Sequence, residues 1–144
     1  MKYDPDPDID LYVKAVLGKK AYDVVMLDVR ELTSVADVFI ICNGRSNRQV
    51  TAIAEFIQVE LKKSGKKPLS AEGVREGHWA LIDYGHVLIH VFYKPVREFY
   101  DLEGLWVDAK RVKTESLENY VLASPDEASE WDGEDEDDFE EEIL

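Results

Sequence analysis

The segment Ala36–Cys42 (ADVFIIC) constrains the fold more than any other part of the chain, because it is apolar throughout apart from Asp37. A strand of this composition is covered on both faces, which is typical of a sheet lying between layers of other structure. After the turn 43–46, Ser46 and Gln49 form a capping box that starts a helix. That helix continues to Gly65 with apolar residues at helical spacing, namely Val50, Ile53, Ile57 and Leu61.

The remaining pattern predicts an α/β domain, with a mixed sheet of about five strands and helices packed on it. Two further helices are expected, one from Asp8 or Asp10 to about Leu17 and one over Val96–Trp106. Strands are expected at Tyr22–Val29, Ala36–Cys42, Leu69–Gly73, His78–Asp83 and His86–Phe92. Because Asp and Pro alternate near the N-terminus, we expect residues 1–8 to be disordered. The domain is expected to span 9–113. Residues 114–144 are rich in acidic residues and are expected to form a disordered tail.

The charge of the chain is divided unevenly along its length. The 144 residues carry a net charge of −14, yet residues 1–113 hold all 17 Lys and Arg together with 17 of the 31 acidic residues. Residues 114–144 hold the other 14 acidic residues and no basic residue. The sequence therefore predicts a nearly neutral body and an acidic tail, so the overall charge says little about what the body binds.

Several classes of protein are excluded by composition. The single cysteine cannot form an intrachain disulfide, and it cannot build a cysteine-based zinc site. No apolar run approaches the roughly 18 residues that a membrane-spanning helix needs. The N-terminus is acidic and lacks the apolar segment of a signal peptide, so we expect a cytoplasmic protein without membrane contact.

The predicted hairpin separates its side chains into two unlike faces. A two-residue turn at Tyr84-Gly85 pairs Asp83 with His86 and Trp79 with His90. Because side chains alternate along a strand, one face is uniformly apolar and the other carries Trp79, Leu81, Asp83, His86, Leu88, His90 and Phe92. That mixed face is either covered by helices, which composition favours, or a partner-binding patch of the kind found at interface centres.

The candidate chemical sites are weak. His86 and His90 lie about 13 Å apart along one strand, too far to share a metal ion. Cys42 is expected to be a buried small hydrophobe rather than a nucleophile. The turn Gly44–Ser46 is similar to a phosphate-binding turn of nucleotidyltransferases, but the carboxylates that would hold magnesium are missing. We therefore expect no catalytic residue, metal or cofactor, and no enzymatic activity. A nucleotide-binding or nucleotidyltransferase enzyme that uses the turn Gly44–Ser46 is the less favoured alternative.

Three segments together resemble the Iojap family of ribosomal silencing factors: ADVFIICNGRSNRQV at 36–50, EGVREGHWALIDYG at 72–85 and HVFYKPVREFYDLEGLW at 90–106. The resemblance implies a nucleotidyltransferase-like α/β fold without transferase activity. It also implies a protein that binds the large ribosomal subunit through ribosomal protein L-fourteen and blocks joining of the small subunit, repressing translation. Organellar members of the family are linked to ribosome assembly, which gives an alternative function.

The resemblance also assigns roles to residues. It implies that the strand of Trp79 contacts the ribosomal protein. Together with the mixed face of the predicted hairpin, this gives the expected partner-binding residues Trp79, Leu81, Asp83, His86, Leu88 and His90. It implies structural or supporting roles for Asp37, Gly44, Ser46, Glu72, Gly73, Arg97 and Tyr100. His86 stands where the family often has an acidic residue, so this contact would depend on pH near a histidine pKa of about 6.5. A neighbouring contact with ribosomal RNA and a homodimer of the free protein are further expectations.

Overall fold

The computed structural model describes residues 8–123. Five helices lie along this part of the chain: α1 (Ile9–Leu17), α2 (Asn47–Lys63), α3 (Lys94–Tyr100), α4 (Leu102–Leu105) and α5 (Glu115–Ala123). Six strands accompany them: β1 (Tyr22–Asp28), β2 (Val38–Gly44), β3 (Ser70–Glu72), β4 (Trp79–Asp83), β5 (Val87–Tyr93) and β6 (Lys110–Val112). The positions of the central helix and of the five predicted strands are confirmed.

The six strands form one mixed sheet in the order β3-β4-β5-β2-β1-β6. The central pair β2 and β5 is parallel, because α2 and the β3–β4 hairpin connect the two strands, and the other pairs are antiparallel. The predicted mixed sheet is thus confirmed, with β6 as an additional edge strand. Every residue of β2 is buried, as its apolar sequence indicates for a strand covered on both faces.

The two faces of the sheet are covered to different extents. Helices α1, α2 and α5 bury one face in a large apolar core that includes Val13, Ile57 and Leu117. The short helices α3 and α4 cover the other face with a smaller cluster, in which Leu102 and Trp106 pack near Phe39. The second face is therefore the place where partly exposed apolar side chains remain.

The hairpin register differs from the predicted one by two residues. Asp83 lies opposite Leu88 and Trp79 lies opposite Phe92, so the predicted pairs of Asp83 with His86 and of Trp79 with His90 are wrong. Beyond this ladder, the N–H of Tyr84 donates to the carbonyl of Val87 at 2.9 Å, and its buried ring packs on Tyr12 with centroids 5.2 Å apart, so the turn moves to 85–86. A shift of two residues preserves side-chain parity, so the assignment of the strand residues to faces is unchanged.

The C-terminal part of the domain departs from the sequence prediction. The single helix expected over Val96–Trp106 is broken at Asp101, whose φ of 47° and ψ of 56° are left-handed. Helix α5 lies where the sequence analysis placed the start of the acidic tail, and this part of the assignment is corrected because Leu117 is buried against the core. The predictions for residues 1–7 and 124–144 lie outside the described residues.

Candidate partner-binding face

The strands β4 and β5 bring five of the six predicted partner-binding residues to one side of the sheet. We call this side the Trp79 face and define it by Trp79, Leu81, Asp83, Leu88 and His90. Across the two strands Leu81 lies opposite His90, and Asp83 lies opposite Leu88. The three β4 side chains are partly buried, whereas the two β5 side chains are buried.

The indole of Trp79 is held from three directions. It stacks on Phe92, with ring centroids 4.8 Å apart and planes inclined by 29°, and it lies 5.1 Å from the ring of Tyr100 on α3. Its Nε1–H donates a hydrogen bond of 3.2 Å to Nδ1 of His90. Because Trp79 is also partly exposed, it is a large, fixed apolar group at the protein surface.

His90 lies beneath this surface rather than on it. The residue is only 4% exposed, and burial lowers the pKa of its imidazole from 6.5 to about 4. The ring is therefore neutral near pH 7, and the ring of Phe39 lies 5.1 Å away at its edge. In this conformation neither His90 nor the buried Leu88 is presented to a partner, in contrast to the sequence prediction.

His86 is the predicted partner-binding residue that the structure separates from the others. It lies in the turn after β4, and its ring is 5.7 Å from that of Tyr12 on α1. Tyr12 belongs to the core on the opposite side of the sheet from Trp79. The predicted place of His86 on the Trp79 face is wrong, because the turn lies one residue later than expected and directs this side chain towards α1.

Aromatic and apolar side chains outside the sheet extend the Trp79 face. Phe99 on α3 is 80% exposed, and Tyr100, Leu105 and Val107 are also exposed. A cavity of about 680 Å³ lies between α3 and the start of β4, lined by Gly73, Glu76, His78, Trp79, Tyr93, Pro95, Val96, Phe99 and Tyr100. The sequence analysis expected one continuous helix over Val96–Trp106, and the break at Asp101 divides it into α3, which carries Phe99, and α4, which carries Leu105.

The turn before β4 needs glycine where the sequence analysis expected a supporting residue. Gly73 has a φ of +74°, and a Cβ atom there would lie 2.1 Å from the carbonyl oxygen of Trp79. The backbone of this turn therefore approaches β4 more closely than any residue with a side chain allows. Glu72 is exposed on the edge strand β3 and lies opposite Leu81.

Arg97 joins α3 to the sheet and to α4. Its guanidinium donates two hydrogen bonds to the carboxylate of Glu103, of 3.0 and 2.8 Å. It also donates to the carbonyl oxygen of Asp23 at 2.7 Å and to Oδ1 of Asn43 at 2.8 Å. These bonds hold the pKa of Glu103 below its usual value, and they fix the helices that carry Tyr100.

The supporting residue Asp37 acts through its main chain. Asp37 pairs through its main chain, donating its N–H to the carbonyl of His86 at 2.8 Å while its own carbonyl accepts from Val29 at 2.9 Å. Asp37 is exposed and directly precedes β2. The contacts of Asp37 thus connect the start of β2 to both neighbouring strands.

The turn Gly44–Ser46 is filled by groups of its own chain. Ser46 caps α2 by accepting a hydrogen bond of 3.0 Å from the N–H of Gln49, whose side-chain oxygen accepts from the N–H of Arg45. A Cβ atom at Gly44 would lie 3.0 Å from Val50, so the turn packs closely on the helix at this glycine. These contacts account for the turn without a bound phosphate.

The structure gives no further support to a chemical site. Cys42 is fully buried, and burial raises the pKa of its thiol to about 12, far from that of a nucleophile. Within residues 8–123, no group of three or more His, Cys, Asp or Glu side chains is arranged to hold a metal ion. None of the helices in this range is both long and apolar enough to cross a membrane.

Comparisons with known proteins identify the family. The family model described as "Ribosomal silencing factor during starvation" matches residues 4–141. Relatives carrying the name "Ribosomal silencing factor RsfS" include one from Halalkalibacterium halodurans, 41% identical over 109 residues, which cover 76% of this chain and 93% of the relative. Another, from Bacillus subtilis, is 44% identical over 63% of this chain and 77% of its own length.

Solved structures agree with the assignment. A crystal structure of a Chromobacterium violaceum protein matches with a TM-score of 0.69 and 35% identity, over 78% of this chain and 93% of that protein. A Bacillus halodurans structure matches with a TM-score of 0.65 and 39% identity, over 73% and 95% of the two chains. The fold and its relatives place this protein in the class of ribosome-associated regulators of translation. Within that class, the chain belongs to the family of ribosomal silencing factors.

Proposed function

We propose that this protein represses translation in the cytoplasm by binding the large ribosomal subunit through ribosomal protein L-fourteen. Family membership supports a ribosomal partner. The bound protein occupies volume that the small subunit needs for joining, so the mechanism is steric and requires no catalytic group. An interface of standard size, about 800 Å² on each partner, is sufficient for such a complex.

The observation that carries this proposal is the fixed, partly exposed indole of Trp79 beside the exposed rings of α3. Interface centres are enriched in aromatic residues that enter binding with little loss of rotamer freedom. Trp79 is already oriented by Phe92, Tyr100 and His90 in the free protein. Leu81 and Asp83 lie along the same strand and supply an apolar and an acidic neighbour.

Sedimentation of purified ribosomal subunits tests the proposal. We expect the protein to travel with the large subunit on a sucrose gradient and to reduce the peak of joined ribosomes. Trp79→Ala is expected to weaken binding to the large subunit by about 2 kcal/mol or more, as truncation of an interface hot spot does. Val59→Ala is the matched control, because Val59 is an exposed apolar residue of α2, which packs on the other side of the sheet.

Two results would contradict the proposal. If the protein remains at the top of the gradient with large subunits at moderate salt, the ribosomal partner is wrong. If Trp79→Ala stays folded and binds as tightly as Val59→Ala, the interface does not lie on the Trp79 face. A separate assay measures binding of this protein to purified L-fourteen alone. It distinguishes a contact with that protein from a contact with ribosomal RNA.

A role in assembly of the large subunit is the second candidate. A mouse relative named "Mitochondrial assembly of ribosomal large subunit protein 1" is 27% identical over 132 residues, although this chain matches only 58% of that protein. The same binding face would serve both functions. Accumulation of large-subunit precursors in a deletion strain supports assembly, whereas normal subunits with excess joined ribosomes during starvation support silencing.

The Trp79 face also supports self-association of the free protein. The exposed apolar side chains beside it, Phe99 on α3, Leu105 on α4 and Val107, are of the kind that a homodimer buries. Light scattering at tens of micromolar should then show a dimer that Phe99→Ser disrupts. A monomer at this concentration contradicts the homodimer without affecting the ribosomal proposal.

A further inference from the structure

We propose that His90 is a positioning residue that fixes the orientation of the Trp79 indole for binding to the large ribosomal subunit. This inference rests on the function proposed above and extends it to a residue that the partner does not touch. It follows from one contact, the hydrogen bond of 3.2 Å from Nε1–H of Trp79 to Nδ1 of His90.

The hydrogen bond fixes the state of the imidazole. A ring that accepts at Nδ1 is neutral and carries its proton on Nε2. Nε2 is buried and has no hydrogen-bond partner among the described residues, so the bond from Trp79 at Nδ1 is the hydrogen bond that holds this ring. A charged imidazole would carry a proton on Nδ1 and lose the acceptor.

The imidazole is itself held in place by its surroundings. The ring of Phe39 meets it edge-on, with centroids 5.1 Å apart, and the plane of Phe92 is inclined to it by only 8°. His90 is 4% exposed, so water does not compete for Nδ1. A buried acceptor on a central strand holds the indole more rigidly than an acceptor on a surface side chain would.

The stacking contacts alone do not select one orientation of the indole. Phe92 stacks on the Trp79 ring and the ring of Tyr100 is inclined to it by 48°, and apolar contacts of this kind tolerate rotation within the ring plane. The hydrogen bond is directional, and it determines which edge of the indole points inward. The opposite edge of the ring is thereby directed to the surface before any partner arrives, which lowers the ordering cost of binding.

Two substitutions at His90 separate the acceptor from the volume of the side chain. In His90→Asn, Oδ1 takes the place of Nδ1 and can accept from the indole. In His90→Leu the volume is kept but the acceptor is lost. We expect His90→Leu to bind large subunits about threefold to tenfold more weakly than the wild-type protein, the range of one neutral hydrogen bond. We expect His90→Asn to bind within about twofold of the wild-type protein.

Nuclear magnetic resonance of the indole N–H provides a reading that loss of packing alone does not give. The chain contains three tryptophans, so the Trp79 signal is assigned by its absence in Trp79→Phe. We expect this proton to resonate downfield in the wild-type protein and in His90→Asn, and to move upfield in His90→Leu. Thermal unfolding of each variant establishes that the binding assays use folded protein.

The outcomes distinguish this inference from the proposed function. If the wild-type protein does not bind large subunits, the proposed function fails. If the wild-type protein binds and His90→Leu binds equally well, or if His90→Asn and His90→Leu are equally impaired, the positioning role alone is overturned. An unchanged Trp79 indole signal in His90→Leu overturns it as well.

Discussion

At the scale of single residues, the buried imidazole of His90 links the stability of the fold to pH. Its pKa is about 4 in the folded protein and about 6.5 when exposed, so between these values the unfolded state binds more protons. Stability from the neutral ring is therefore fully present above pH 6.5 and is lost as the pH falls towards 4. The expected slope is about 1.4 kcal/mol per pH unit.

Urea unfolding at pH 7.5, 6.5, 5.5 and 4.5 measures this slope. We expect the free energy of unfolding of the wild-type protein to fall more steeply in the acid range than that of His90→Asn, which lacks the titrating group. Carboxylates with lowered pKa values, such as Asp28 and Glu103, lose their contribution only below their ordinary values of 3.8 and 4.5. Parallel curves for the two proteins between pH 6.5 and 5 would show that His90 is not buried as described.

The sequence could assign residues to faces but could not show which of them stay exposed. Alternation along the strands placed Trp79, Leu81 and His90 on one side, and the structure confirms their shared side. The burial of His90 depends on Phe39 and Trp79, and the ring that displaces the turn is Tyr84. Those contacts join distant parts of the chain, so a local pattern does not contain them.

At the scale of elements, the turn between β3 and β4 should not tolerate a side chain at position 73. Gly73→Ala places a Cβ atom in a left-handed residue and against the backbone of Trp79. The left-handed conformation costs about 1–2 kcal/mol for alanine, and overpacking against β4 adds about 1–3 kcal/mol. Chemical denaturation should therefore show a larger loss than for Gly65→Ala.

Gly65→Ala is a matched control because the two glycines have nearly the same conformation. Gly65 has a φ of +77°, but a Cβ atom there meets nothing within 4 Å. It therefore carries the conformational cost without the clash. Equal losses in the two variants would mean that the turn at Gly73 moves freely away from β4.

Helix α5 should fold together with the rest of the domain, although it lies in the part of the chain, 114–144, that contains no basic residue. Leu117 is 1% exposed in the core beneath α1, and the N–H and hydroxyl of Ser116 donate to the carboxylate of Asp10 at 3.1 and 2.7 Å. We expect Leu117→Ala to lower the free energy of unfolding by about 2–5 kcal/mol. The measurement is equilibrium unfolding in urea.

Val121 on the same helix provides the comparison for Leu117. Val121 is 39% exposed, so Val121→Ala should change the free energy of unfolding by less than about 1 kcal/mol. A small effect of Leu117→Ala would show that α5 is not docked in solution. If the effect is large, experiments that remove the tail must end the chain after Ala123 rather than at the predicted boundary of Lys113.

The elements that the sequence predicted are those with a long or strongly apolar pattern. Helix α2 carries its own cap and an apolar stripe, and β2 is buried throughout. Strand β6 has three residues, and its pairing with β1 is set by distant parts of the chain. Helix α5 has two acidic residues in its first turn; in the sequence they continue the acidic pattern of the tail, although a helix N-terminus also favours them.

At the scale of the whole molecule, the C-terminal segment carries most of the net charge of the chain. Residues 124–144 contain 12 acidic residues and no basic residue, so removing them changes the net charge from −14 to −2. A ribosomal surface is rich in RNA phosphates, which repel an anionic protein over about one Debye length. The acidic segment should therefore slow association with the large subunit if that subunit is the partner.

Association kinetics of a chain that ends at Ala123 test this expectation. At low salt we expect its association rate with large subunits to exceed that of the full chain by on the order of tenfold, with the difference shrinking as salt rises. A full-length variant with the acidic residues of 124–144 changed to Asn and Gln keeps the length and removes the charge. It should behave like the shortened chain, because the effect comes from long-range repulsion.

If the neutralised variant instead associates as slowly as the wild-type protein while the shortened chain is faster, the segment acts by covering the binding face. A difference between the chains that does not depend on salt would likewise contradict an electrostatic origin.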